Sequence, residues 1–248
     1  MSTNKFLSYE FGEGEDLIVV LPSLMDSFKS CLDNQKTLNR TWKTLSKEYR
    51  ILFISRPQDM TFESIEQIAS TIIEYIPRCK AIIGISMGGL IAQHIINKDP
   101  NITDHLILAM SCSHQLDTEL SILKNWLAFA QQDDWTSLQQ STLEVIYNKP
   151  YNPDNGLRLI APKPRSKQLL VNSIKACIHH NSTDFIRNIE TKTLIIACEF
   201  DRLFPLDQMK LFTTSMKNSM LYILKDASHG MHGKILTEMQ CEVRKFLK

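Results

Sequence analysis

Three residues in this chain carry the parts of a proton relay around a nucleophile, and they occur in the order Ser86, Asp201, His229. A serine hydroxyl attacks poorly until a base takes its proton. A histidine serves best as that base when a carboxylate fixes its tautomer and stabilises the imidazolium. Ser86 lies in Gly84-Ile85-Ser86-Met87-Gly88-Gly89, where small residues on either side let the backbone turn sharply and present the side chain. Upstream, 79–83 is a short, branched apolar run suited to a buried strand, and downstream 90–96 has helical apolar spacing. The serine therefore sits between a strand and a helix, and the helix start brings backbone N–H groups and a positive dipole end to its oxygen. An oxyanion can be held there. Without partners for the serine, the same pattern is only a glycine-rich connection.

The remaining elements must bring those partners in. Strands are expected at 5–11, 17–21 and 49–54, with a loop at 22–27 and a helix-rich stretch at 28–47 in which Leu38, Trp42 and Leu45 recur at helical spacing. Strand, helix and strand in succession imply a parallel sheet. Residues 55–59 read as a loop. A helix opens at 61–66 with capping chemistry from Thr61 and Ser64, and carries its apolar face on Ile65, Ile68, Ile72, Ile73 and Ile76 to Pro77. A strand at 104–110 follows the serine helix. From 114 to 190 the pattern becomes amphipathic helices, at 120–131, 135–147 and 167–180, with no strong strand between them. The sheet resumes at 193–198, a helix follows from Pro205 to 217, and a strand at 219–224, a turn at 225–230 and a helix to 246 complete the chain. Asp201 and His229 each fall just past the C-terminal end of a strand, where open parallel sheets build their sites.

Chain order and context together resemble the α/β-hydrolase family over residues 17–246, in its capped single-domain form. Four stretches carry the resemblance: 84–89, the acid loop Glu199-Phe200-Asp201-Arg202-Leu203-Phe204-Pro205, the turn Asp226-Ala227-Ser228-His229, and 21–27 after the second strand. The resemblance implies a mostly parallel, doubly wound sheet built from 1–113 and 191–248, with 114–190 inserted as a helical cap. It places nucleophile, acid and base on Ser86, Asp201 and His229, and an oxyanion hole on the backbone N–H groups of Leu24 and Met87. It implies no cofactor. The chain departs from the family pattern in Pro22-Ser23, where His-Gly is usual, in Ile85 before the serine, and in Cys198 and Ser228, where glycines are frequent. At Ser23 the added Cβ sits where a glycine often allows close backbone approach, while its hydroxyl offers a further donor.

Other residues compete for these roles. Asp226, three residues before His229, is suited to ordering its turn, and Glu199 to the rim. His232 follows His229 at helical spacing, but no third metal ligand is placed with them, and His179-His180 is equally plain. Cys112 follows a strand and reads as a buried thiol or as a neighbour of the pocket. In the cap, Leu120, Leu123, Trp126, Leu127, Phe129 and Trp135 form either a substrate-facing stripe or core packing; Arg158, Lys163, Arg165 and Lys167 form either an anion contact or a solvated face.

Twenty-eight basic and 27 acidic residues leave a net charge of +1, without the electrostatic footprint of a nucleic-acid or anionic-membrane binder. The expected partner is a small-molecule acyl substrate. The start lacks a charged region followed by an apolar one, and six scattered cysteines without a CxxC pair read as free thiols, so a cytoplasmic protein is expected. Within the resemblance, an ester or thioester hydrolase is the leading expectation. Enol-lactonase, carbon–carbon bond hydrolase and SHCHC-synthase-like lyase chemistry use the same three residues, and a small-ligand receptor is the non-catalytic reading.

Overall fold

Branched apolar runs bury best when both faces of their sheet are covered, and the chain contains several. The computed structural model describes residues 6–152, 154 and 161–248. It gathers these runs into one seven-stranded sheet in the order β1-β3-β2-β4-β5-β6-β7. The strands are β1 (Leu7–Phe11), β2 (Leu17–Leu21), β3 (Arg50–Ser55), β4 (Cys79–Ile85), β5 (Thr103–Ala109), β6 (Lys192–Cys198) and β7 (Ser219–Leu224). Every neighbouring pair is parallel except β1, which lies antiparallel on β3 at the edge. All five residues of β2 are buried.

The chain steps from β2 outward to β3, then returns past β2 to β4 and continues the other way. Loops leaving β2 and β4 therefore diverge, opening a crevice above their C-terminal ends. Leu21 is in register with Gly84, which sets Ser23 and Leu24 beside Ser86.

The helices are α1 (Gln35–Thr41), α2 (Lys43–Ser46), α3 (Ile65–Ile72), α4 (Met87–Lys98), α5 (Asp117–Gln131), α6 (Trp135–Tyr147), α7 (Lys167–Ile178), α8 (Leu206–Thr214) and α9 (Gly233–Phe246). The stretch expected to be helical from 28 becomes α-helix only at Gln35. Asp33 takes the Ser30 N–H and hydroxyl at 3.0 and 2.7 Å, a local bonding pattern that competes with a helix. In α3 the cap is Ser64, which accepts the Gln67 N–H at 3.2 Å, so Thr61 precedes the helix. Helix α8 ends at Thr214, one turn short of the expected bound.

Helices α5, α6 and α7 all lie between β5 and β6. An isolated antiparallel bridge between His114 and Asn181 closes this excursion at its base, and the Ser182 N–H donates to the Ser113 carbonyl at 2.8 Å. Arg158 of the basic cluster falls outside the described residues. Cys31, Cys79, Cys112, Cys177 and Cys198 are buried free thiols. Among the described residues no helix is long and apolar enough to cross a membrane.

Candidate active site

A single residue separates β4 from α4, and it is Ser86, at φ 56 and ψ −125. A non-glycine residue in this region is strained by about 1–3 kcal/mol and persists only where its surroundings hold it. Here strand and helix press together: a Cβ on Gly84 would lie 2.5 Å from the Gly88 carbonyl oxygen, and one on Gly88 would lie 2.8 Å from that of Leu21. The Ser86 N–H donates to the Ala109 carbonyl at 2.9 Å, fixing the turn to β5.

The structure brings the three sequence-distant residues into line. Ser86 Oγ lies 3.2 Å from His229 Nε2, and His229 Nδ1 lies 2.9 Å from Asp201 Oδ2. The other carboxylate oxygen of Asp201 accepts the N–H groups of Leu203 and Phe204 at 2.8 and 3.0 Å, so the side chain presents Oδ2 in one orientation. A carboxylate at Nδ1 holds the imidazole proton there and leaves Nε2 as an acceptor toward the serine. The Phe204 ring stacks on the imidazole with centroids 5.6 Å apart, and Asp201 is buried. The acid loop and the histidine turn are stitched together by the Phe200 N–H on the Ala227 carbonyl at 2.8 Å.

The competing carboxylates have other occupations. Glu199 accepts the Asp226 N–H at 3.1 Å and Lys225 Nζ at 3.2 Å, while Asp226 supplies the left-handed residue of that turn at φ 52. His232 Nδ1 donates to the Gly230 carbonyl at 2.8 Å, and its ring meets Tyr147 edge-on. Cys112 is fully buried, and burial pushes its thiol far above the ordinary range.

Ser86 stands between two spaces. A cavity of about 280 Å³ is lined by Ser23, Leu24, His229, Thr142 and Ile146 among others, and one of about 30 Å³ by Met87, Leu123 and Phe204 among others. Trp126 of α5 walls both. From the expected apolar stripe only Leu123 and Trp126 reach these cavities, whereas Leu127, Phe129 and Trp135 pack on the core. Ser23 adopts φ −81 and ψ 179, an ordinary extended backbone that does not call for glycine.

The basic cluster does not converge on the serine. Lys167 is taken by Asp133 at 2.6 Å, and Lys163 is exposed. Arg165 donates to the Asp26 carboxylate at 3.2 Å and to the carbonyls of Asp26 and Arg56 at 2.9 and 3.0 Å. Sequence reasoning missed the other guanidinium on Asp26, that of Arg56, which has no solvent exposure and lies in what read as a plain loop. Its one linear signal is a basic residue directly after β3, one serine beyond the apolar run 51–54.

No family model matches the chain. It is 23% identical over 245 residues to the serine hydrolase BPHL of Mus musculus, covering 96% of this chain and 81% of that protein. Among solved structures it is similar to the enol-lactonase of Burkholderia xenovorans LB400, with a TM-score of 0.81 at 16% identity over 98% of this chain and 96% of that one. It is similar also to MGS-M2, an α/β-hydrolase enzyme from a Medee basin deep-sea metagenome library, with a TM-score of 0.78 at 19% identity over 97% and 93% of the two chains. With its mostly parallel seven-stranded sheet and a strand-to-helix turn carrying Ser86, this chain has the α/β-hydrolase fold.

Proposed function

We propose that the chain is a serine hydrolase cleaving small or medium acyl esters or thioesters through a covalent acyl-enzyme. The observation that carries this reading is the unbroken line Ser86, His229, Asp201 at 3.2 and 2.9 Å, opening into a mostly apolar cavity. As Ser86 Oγ attacks the carbonyl carbon, its proton passes to His229 Nε2, and Asp201 stabilises the imidazolium. The Leu24 and Met87 N–H groups receive the charge that develops on the carbonyl oxygen. His229 then returns the proton to the departing alkoxide or thiolate. In the second half His229 takes a proton from water, the hydroxide adds to the acyl carbon, and Ser86 leaves with the proton restored. Helices α5 and α6 act in this reading as a cap that selects the acyl group, through Leu123, Trp126, Thr142 and Ile146. An open groove of about 850 Å³ that shares Ser23, Met25, Trp42 and Ile85 with the smaller cavity leaves room for the departing group.

The test is hydrolysis of p-nitrophenyl esters across acyl lengths by wild type and Ser86→Ala. Wild type is expected to show a length optimum, and Ser86→Ala to lose on the order of a million-fold in kcat. A near-wild-type rate in Ser86→Ala overturns the reading. Likeness to an enol-lactonase structure favours one second reading, a cyclic ester as substrate. It predicts turnover of small lactones by a wild type that leaves the linear series untouched.

A further inference from the structure

Burying a guanidinium costs several kcal/mol unless nearly every N–H finds an acceptor. Arg56, without solvent exposure, meets that condition with partners drawn from three separate parts of the chain. Its Nε and backbone N–H both donate to Asp26 Oδ2, at 3.2 and 3.0 Å. Nη1 reaches Ser173 Oγ on α7 at 2.6 Å and the Met87 sulfur at 3.2 Å. Nη2 donates to the Ser23 carbonyl at 2.8 Å and to Ser27 Oγ at 3.2 Å.

Two of these partners matter to the serine. The C=O and N–H of one trans peptide unit point to opposite sides of the chain. The Ser23 carbonyl and the Leu24 N–H belong to the same unit, so a guanidinium holding that carbonyl turns the Leu24 N–H away from itself. Leu24 lines both spaces around Ser86. Met87, whose own N–H opens α4, is held by its sulfur on the same guanidinium.

We propose that Arg56 is the positioning residue of the oxyanion site, aiming the Leu24 and Met87 amides from behind while touching neither substrate nor reacting atoms. This rests on the serine-hydrolase reading. Asp26 and Arg165 brace Arg56 from the loop and from the segment before α7, and Ser173 links it to the helical excursion, so the substrate's cover and the oxyanion donors share one anchor. A lysine keeps the charge but has no rigid fork with which to hold a carbonyl, a sulfur and a carboxylate at once.

The test compares wild type, Ser86→Ala and Arg56→Lys for p-nitrophenyl ester kinetics and for affinity toward butylboronic acid, which adds to a serine as a tetrahedral anion. Arg56→Lys is expected to lose about 100-fold in kcat, the scale of a misplaced oxyanion donor, with KM within about twofold of wild type. Boronate affinity is expected to fall by the same factor as kcat. A folded Arg56→Lys with wild-type kcat, or with its loss confined to KM, overturns the proposal. Should that variant not fold, Ser173→Ala and Ser27→Ala decide, since each removes one acceptor from the guanidinium. A loss of roughly 2- to 10-fold in kcat at constant KM is then expected in each, and wild-type kcat in both overturns the proposal. Wild-type turnover abolished by Ser86→Ala upholds the hydrolase reading whatever Arg56→Lys does. A wild type inert to ester and boronate alike overturns both readings.

Discussion

His180 illustrates how a titratable residue can belong to stability rather than to chemistry. It is buried with its ring against that of His94, centroids 5.3 Å apart, and burial pushes it down to about 3, with the neighbouring His94 adding to the shift. Burial pushes His94 down as well. A folded-state value below that of the unfolded chain means that the unfolded chain binds the extra proton as pH falls. The His180 contribution is therefore fully present above pH about 6.5 and is lost progressively as pH falls toward about 3. Urea midpoints at pH 7 and pH 5 should differ less in His180→Phe than in wild type; an unchanged difference would remove His180 from the account. By contrast, Ser86, Asp201 and His229 were legible from their types and order, because a relay needs those side chains and few other arrangements supply them. Position along the chain already set Asp201 apart from Asp226, suited to its turn, and Glu199, suited to the rim; the structure adds the 2.9 Å contact of His229 Nδ1 with Asp201 and pairs Glu199 with the Asp226 N–H.

Trp126 connects the helical excursion to the serine. It is buried, walls both spaces beside Ser86, and donates its indole N–H to Ser141 on α6 at 3.1 Å. Trp126→Ala should merge and enlarge these spaces, moving the acyl-length optimum of the p-nitrophenyl series to longer chains while costing about 3–5 kcal/mol of stability. An unmoved optimum in a folded variant would take Trp126 out of substrate selection. Long periodic helices such as α6 and the strand β7 were read to the residue, since a sustained apolar period outweighs local competition. The segment before α1 was not, because one Asp33 carboxylate diverts the backbone into a turn, a contest between local bonding and helix that periodicity does not register.

At the scale of the molecule, one buried charge cluster joins the loop after β2, the end of β3 and the chain entering α7, three segments far apart in sequence. Asp26 accepts from Arg56 and Arg165 at 3.2 Å each. Asp26→Asn leaves two largely buried guanidinium groups without their carboxylate. It should cost about 3–5 kcal/mol in urea-induced unfolding, the range for breaking a buried pair. A change within the error of wild type would mean that solvent replaces the carboxylate freely.

Fold class, element order and the three candidate residues Ser86, Asp201 and His229 follow from local chemistry: apolar period, turn-permitting glycines, and side chains suited to nucleophile, base and acid. Those features reside in short stretches and survive being read one after another. Which faces of α5 and α6 look onto Ser86, and that Arg56 lies beneath the Leu24 peptide, were decided by how the helices pack on the sheet and by the crossover of its strands. The crossover carries β4 back past β2, and residues 23, 87 and 173 meet on Arg56. Contacts between residues so distant along the chain leave no period or spacing in it, because they are set by how strands and helices pack and by the cost of leaving a buried charge unsatisfied.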